Sequence, residues 1–435
     1  MVWLDRQNAG EVPHLQGLGS TPAMTAVVDT ARLAGEIDQL ASFSDAAPPA
    51  VTRVVFTEAD MRARAYVKAL CADAGLTIRE DAVGNTFARW EGEDPRLAPV
   101  ATGSHIDAIP HAGRYDGTVG VLGGLEAIRA LRRAGLRPRR AIELVIFTSE
   151  EPTRFGIGCL GSRLLSGTLD AAAGDRLRDS TGATLNEVRT RAGFAGSLES
   201  VRAPNGAYAA FVELHIEQGP MLERHRLDVG IVTAIAAPAG LRIAIDGEGG
   251  HAGAVLMKDR HDAFLAAAEI ALAVEAAARQ SGSDDTVGTV GVCEVFPGAV
   301  NSVPSRARIE VDVRDIDGRR RDAALDRISA ACDEIAVRRG VAVRTDRINA
   351  DPPAACAPDV VAVVARACGA RGLSHQPMIS RAYHDSLFMA RLAPTAMLFI
   401  PCRGGISHRP DEYASPEAIA RGAAVLADTL AELSS

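Results

Sequence analysis

Short apolar runs bounded by turn residues, at 99–102, 141–148, 209–214 and 395–400, alternate along the chain with segments of helical period. A fully apolar run of four to eight residues reads as a strand buried on both faces, and strands that alternate with helices predict a sheet flanked by helices. Helices are expected over 25–42, 58–74 (closed by Gly75), 119–133 (stopped by Gly135), 360–368, 386–391 and 416–433. Residues 1–25 read as frayed.

Between Gly230 and Arg344 the rhythm changes to strand 231–246, helix 262–278, strands 286–295 and 306–314, helix 321–338 and a last strand at 341–344. This predicts an inserted α+β unit of βαββαβ order. The expected organisation is a discontinuous α/β domain, 1–229 and 346–435, whose central mixed sheet is flanked by helices, with 230–345 inserted.

Composition narrows the function. With 47% hydrophobic and 23% charged residues the chain is globular rather than disordered. A net charge of -8 opposes nucleic-acid binding and favours small substrates. The seven cysteines form no CxxC pair and are odd in number, so no disulfide framework or thiolate zinc site is expected. The start has no apolar leader and no stretch of about 18 apolar residues occurs, which makes the cytoplasm the expected location and a membrane role unexpected.

The chemistry sits in four clusters, each just after an apolar strand, where open α/β sheets place their sites. The first is Thr102-Gly-Ser-His-Ile-Asp107 running on to Asp116, with His105 a metal ligand and Asp107 the group that orients its imidazole. The second is Ser149-Glu150-Glu151. Two adjacent carboxylates are costly to bury without a cation, so one is expected to ligate a metal while the other serves as general base. The third, Glu213-Leu-His-Ile-Glu-Gln-Gly-Pro220, puts His215 and Glu217 on one side of a strand; the fourth, Gly405-Ile-Ser-His-Arg-Pro-Asp-Glu-Tyr413, offers His408. Imidazole and carboxylate without thiolate suits a hydrolytic zinc or manganese site. Among the other histidines, His384 beside Asp385 is a candidate pocket residue and His251, in a glycine-rich turn of the insertion, a candidate lid residue; His14, His225, His261 and His375 read as structural or surface groups.

Together, HIDAIPHAGRYDGTVGVLGGLEAI, FTSEEPTRFGIGCLGSRLL, ELHIEQGP, GGHAGAVLM, ISRAYHDSLFMARLAP and FIPCRGGISHRPDEY resemble the amidohydrolase and carbamoylase branch of the dinuclear metallopeptidase-like enzymes, over essentially the whole chain from Thr52 onward. The resemblance is strongest to members that hydrolyse ureidoglycolate. It implies a metallopeptidase-like fold, a homodimer formed through the inserted lid domain, and two divalent ions, by resemblance manganese, with zinc the alternative. Carried over, His105, Asp116 and His215 would hold one ion and Asp116, Glu151 and His408 the other. Glu150 would be the general base, Asp107 would orient His105, and Gln218 would hydrogen-bond substrate. His251 would stabilise the oxyanion, while Asn301 and Arg314 grip a substrate carboxylate, Arg314 in two-point fashion.

The implied activity is hydrolysis of the ureido C–N bond of (S)-ureidoglycolate to glyoxylate, ammonia and carbon dioxide, in ureide and purine nitrogen breakdown. The alternatives are an N-carbamoyl-L-amino-acid hydrolase, a β-ureidopropionase or an allantoate amidohydrolase, and, from other classes, a dipeptidase or a metal-free binding protein. One departure bears on this choice. Ser380-Arg-Ala-Tyr-His-Asp385 stands where many of the branch have Ser-Gly-Ala-Gly-His-Asp, so Tyr383 is expected to shrink the pocket and, with Arg381, to add donors for a small hydroxylated substrate.

Overall fold

The computed structural model describes residues 26–435, so the reading of 1–25 lies outside the described residues. The chain forms two compact units. The first comprises residues up to Thr233, Cys356–Met378 and His384–Ser435; the second, Ala234–Ala355 and Ile379–Tyr383.

The first unit is built on a mixed sheet whose centre is four parallel strands, in spatial order Thr395–Ile400, Ala210–Ile216, Val100–His105 and Ile142–Phe147. All four are buried along their whole length, as expected of strands covered by helices on both faces. Antiparallel strands close the edges: Val229–Ile235 on one side, Thr86–Trp90 and then Thr77–Glu80 on the other. Helices Thr118–Arg133 and Pro416–Leu433 seat closely on the same central side chain. A Cβ on Gly123 or Gly422 would stand 2.7 Å from a methyl of Leu214, so each helix reaches the sheet through a glycine. The four parallel strands end together, and that common edge carries the site.

The second unit is a four-stranded antiparallel sheet, in order Val287–Phe296, Arg306–Asp315, Ala237–Asp246 and Ala342–Ala350, with helices Ala263–Arg279 and Gly318–Arg339. Along Arg306–Asp315 every second residue is buried, the period-two pattern of a sheet with one covered face. Ile243, Ile270, Val311 and Ile328 belong to its core. The chain order is strand, helix, strand, strand, helix, strand.

Element ends shift by a few residues throughout, and larger differences from the sequence reading gather where the two units join in the chain. The expected strand 231–246 is two strands, Val229–Ile235 and Ala237–Asp246, because the chain leaves one sheet at Ala236, whose N–H donates to the Ser380 carbonyl at 2.8 Å, and enters the other. The last strand of the second unit runs to Ala350, and that unit takes in Ala350–Ala355 and Ile379–Tyr383. Its partner is the ten-residue strand Ala237–Asp246, which continues the ladder well beyond the short apolar run at 341–344. Strands Thr77–Glu80 and Thr86–Trp90 and helices Leu160–Ser166, Ala171–Arg176 and Leu185–Arg191 were unmarked by periodicity, being short or at a sheet edge. Among the described residues no helix is long and apolar enough to cross a membrane.

Candidate metal centre

His105 is the last residue of Val100–His105, His215 the penultimate residue of Ala210–Ile216, Glu150 and Glu151 follow Ile142–Phe147, and His408 lies on the loop after Thr395–Ile400. Asp116 reaches the same space from the turn before helix Thr118–Arg133. Two three-residue groups result, His105–Asp116–His215 and Asp116–Glu151–His408, each with its nearest ligand atoms within 4.8 Å of one another and with Asp116 common to both. From the Asp116 carboxylate, His215 Nε2 is 3.2 Å away, His408 Nε2 3.3 Å and His105 Nε2 3.5 Å. Glu151 Oε1 is 3.4 Å from His408 Nε2, and Glu150 Oε2 is 3.7 Å from His105 Nε2.

The imidazole tautomers follow from their other contacts. Nδ1 of His105 lies 3.0 Å from the Asp107 carbonyl and Nδ1 of His215 lies 2.9 Å from that of Ile216. A carbonyl only accepts, so in the neutral rings each Nδ1 carries the proton and each Nε2 turns its lone pair toward Asp116. The Gly117 N–H, donating to His215 Nε2 at 3.1 Å, fits the same tautomer. Lone pairs facing a carboxylate in a buried space repel unless positive charge lies between them. The donor set therefore fits a divalent pair bridged by Asp116, with oxygen and nitrogen ligands only.

The titration behaviour reports the same demand for cationic charge. Burial disfavours a charged His105, but Glu150, Asp116 and Asp107 outweigh it and lift its pKa well above the ordinary value. For Asp116, burial pushes upward, yet the three imidazoles prevail and hold it well below the carboxylate range. Burial raises Glu150 well above its usual value and, with Asp116, takes Glu151 to about 7. His408, hydrogen-bonded to Asp116, is raised to about 9.

Several assigned side chains make contacts that the sequence did not predict. Asp107 meets His105 through its backbone carbonyl and through its carboxylate, 3.7 Å from Nδ1; that carboxylate also accepts the N–H of Glu150 at 3.2 Å and of Glu151 at 3.0 Å, so it fixes the turn bearing both glutamates. Ser149, in the left-handed region at φ 56°, bends this turn, so Glu150 and Glu151 do not simply alternate as on an extended strand. Gln218, expected to contact substrate, donates its amide to Asp116 Oδ2 at 2.6 Å. Glu217 accepts the N–H groups of Met221 and Leu222 and so caps a helical turn, without joining His215 in a ligand group. His384 is buried against the His215 ring, with centroids 4.5 Å apart.

His251, Asn301, Arg314 and Tyr383 belong to the second unit. There His251 is on a two-residue strand paired with Ser302–Val303, and the Asn301 carbonyl accepts the N–H of Ala252 at 2.9 Å. The His251 Nδ1 accepts the Gly253 N–H at 3.1 Å, which leaves Nε2 the donor of a neutral ring. Arg314 lies over the Tyr383 ring at 5.6 Å, but its Nε and Nη2 hold Asp312 at 2.8 and 3.2 Å. The two-point fork expected for a substrate is thus engaged by a carboxylate of the chain itself. Arg381 pairs with Asp285 at 2.9 Å.

Sequence reasoning missed a layer of polar groups behind the clusters. The Glu213 carboxylate, wholly buried, accepts from Ser104 Oγ at 2.7 Å and Ser386 Oγ at 2.6 Å, and with His215 and His384 it makes a third close group. An acid inside an otherwise apolar strand was the signal for it. Buried Cys159 lies with its sulfur 3.4 Å from Glu150 Oε1. Ser407 and Glu412, within the fourth cluster but not singled out there, lie beside Asp116.

Residues 101–432 match the family described as peptidase family M20/M25/M40. A relative named ureidoglycolate hydrolase, from Arabidopsis thaliana, is 55% identical over 94% of this chain and 87% of its own. An N-carbamoyl-L-amino acid amidohydrolase of Geobacillus stearothermophilus is 39% identical over 88% of this chain and 93% of its own. A crystal structure described as AtUAH in complex with glyoxylate superposes with a TM-score of 0.88 at 54% identity, covering 95% of this chain and 99% of that one. With its ligand groups at the ends of four parallel strands and these relatives along nearly its whole length, the chain belongs to the M20/M25/M40 family, in its amidohydrolase and carbamoylase branch.

Proposed function

We propose that the protein hydrolyses the ureido C–N bond of (S)-ureidoglycolate, yielding glyoxylate, ammonia and carbon dioxide in the breakdown of ureides and purine nitrogen. The observation that carries this reading is the pair of ligand groups sharing Asp116 with Glu150 beside them, in a chain 55% identical to a ureidoglycolate hydrolase. His105, Asp116 and His215 would hold one divalent ion and Asp116, Glu151 and His408 the other; manganese is our assignment, and zinc has the same donor preferences here. Bound there, the ions supply Lewis acidity toward the ureido carbonyl and lower the pKa of water.

The chain's own residues do the rest. Glu150, its pKa raised by burial, takes a proton from the attacking water and returns it to the leaving nitrogen. Asp107 fixes Glu150 through its backbone N–H. His251, with Nε2–H as its donor, would stabilise the developing oxyanion, and Gln218 holds the bridging Asp116 as well as lining the substrate's approach. Asn301 and Arg314 would grip the substrate carboxylate, with Arg314 sharing its guanidinium between Asp312 and substrate. Tyr383 beside Arg314, and His384 behind His215, would set the pocket's size. The inserted unit acts as lid and homodimer contact in this reading, and Phe264, Leu272 and Phe296 on its surface supply apolar area for it. Seven free cysteines, six of them buried, fit a reducing cytoplasm.

The test is ammonia and glyoxylate release by manganese-loaded protein on (S)-ureidoglycolate beside allantoate, N-carbamoyl-β-alanine and an N-carbamoyl-L-amino acid. Strong preference for ureidoglycolate over its spontaneous decay is the expected result. Preference for another carbamoyl compound would keep the chemistry and refute the substrate; dipeptide turnover would refute both.

A further inference from the structure

The Asp116 turn and the His408 loop lie almost three hundred residues apart in sequence and are joined by one buried side chain. Glu412 is 5% exposed. Its Oε1 accepts the backbone N–H of Tyr115 at 2.8 Å and of Asp116 at 3.2 Å, and its Oε2 contacts Ser407 Oγ at 2.8 Å. Ser407 Oγ also lies 2.8 Å from Asp116 Oδ2, the oxygen nearest His408 Nε2. Space for this was made in the turn: a Cβ on Gly113 would stand 2.3 Å from both Cβ and Oε1 of Glu412. No other residue of the His408 loop bonds to the backbone of the Asp116 turn among the contacts described.

Within the second group, His408 needs such help. His408 is at φ 58°, a backbone region costly for a residue with a Cβ, and its side chain is 48% exposed, so neither a strand nor surrounding packing fixes it. His105 and His215, by contrast, are buried at strand ends and each is held by a carbonyl.

Resting on the two-ion reading above, we infer that Glu412 is a positioning residue that clamps the Asp116 turn to the His408 loop and thereby creates the second ion site, Asp116–Glu151–His408. The clamp is geometric. A glutamine can reproduce it, since its Oε1 accepts both N–H groups while its amide donates to Ser407 Oγ, leaving the serine hydroxyl to donate to Asp116.

The experiment titrates the metal-free full-length chain with Mn2+, reading stoichiometry by elemental analysis and the isolated or spin-coupled state of the ions by electron paramagnetic resonance, with melting curves as the fold control. The expected result is two coupled ions in the parent. Glu412→Ala should keep one isolated ion and bind the second at least tenfold more weakly; Glu412→Gln should stay within about threefold of the parent. Two coupled ions of parental affinity in Glu412→Ala would overturn the inference, and so would a Glu412→Gln protein as defective as Glu412→Ala, because charge rather than geometry would then be responsible. Should Glu412→Ala not fold, Ser407→Ala carries the test: the second ion weakened several-fold with the first unchanged supports the clamp, and no change refutes it. A parent that binds no manganese pair would instead count against the two-ion reading itself.

Discussion

The two halves of the candidate centre share one carboxylate and differ in almost everything else. His105 and His215 stand at the ends of central strands, buried on all sides, with Nδ1 fixed by a carbonyl. His408 stands on a loop, half-exposed, and reaches Asp116 through a left-handed backbone, with Glu412 of the same loop bonded to the Asp116 turn. Burial and second contacts preorganise the inner group at the expense of folding energy. The outer group is cheaper to fold and easier to lose, so the two ions are expected to differ in affinity and in exchange rate.

The largest effect expected comes from Glu150, the carboxylate beside His105. Glu150→Gln should lower turnover by about 100- to 10,000-fold, the range for losing a general acid–base group, while elemental analysis still finds two ions; loss of metal with activity would make Glu150 a ligand. His215→Ala should remove the inner ion, whereas His408→Ala should leave it and lose the outer, and equal metal loss in the two variants would erase the asymmetry. A timed chelator challenge should strip the parent in two phases, the first leaving one ion per chain; a single phase would show that the halves exchange alike. Tyr383→Gly should raise allantoate turnover relative to ureidoglycolate by several-fold, and an unchanged ratio would free Tyr383 of any part in selection.

The smallest effect serves as a control in the second unit. Glu269, bonded by Arg338 and Arg339, has its pKa lowered to about 2. A carboxylate lowered on folding stabilises above its unfolded value of about 4.3 and loses that stabilisation as pH falls toward 2. Glu269→Gln should therefore melt no more than about 2 °C below the parent at pH 7, with the difference vanishing at acid pH and metal binding unaffected, since exposed ion pairs contribute little.

The uneven legibility of the sequence follows the same contrast. Strand ends announce themselves, because an apolar run that stops three residues before His105, or at Ser149-Glu150-Glu151, marks both the element and the chemistry beyond it. The strand Thr395–Ile400 and helix Pro416–Leu433 were legible to the residue for that reason. Contacts made by folding were not. Asp107 bonding to the backbone of the glutamate turn, Gln218 bonding to Asp116, and Arg314 paired with Asp312 depend on which loops meet, and a one-dimensional pattern carries no such information. Edge strands such as Thr77–Glu80, largely exposed, lack the apolar run that would reveal them.

Ser149, Cys159, Gln218 and His408 all hold φ near 55°, and each lies in or beside the centre. A left-handed conformation costs a non-glycine residue about 1–2 kcal/mol. Anyone engineering this protein for heat resistance would find glycine or asparagine at these positions an inviting gain. The same changes would let the loops relax from the arrangement their side chains require, so a search scored on melting temperature alone is expected to collect sturdier proteins that have surrendered their catalysis.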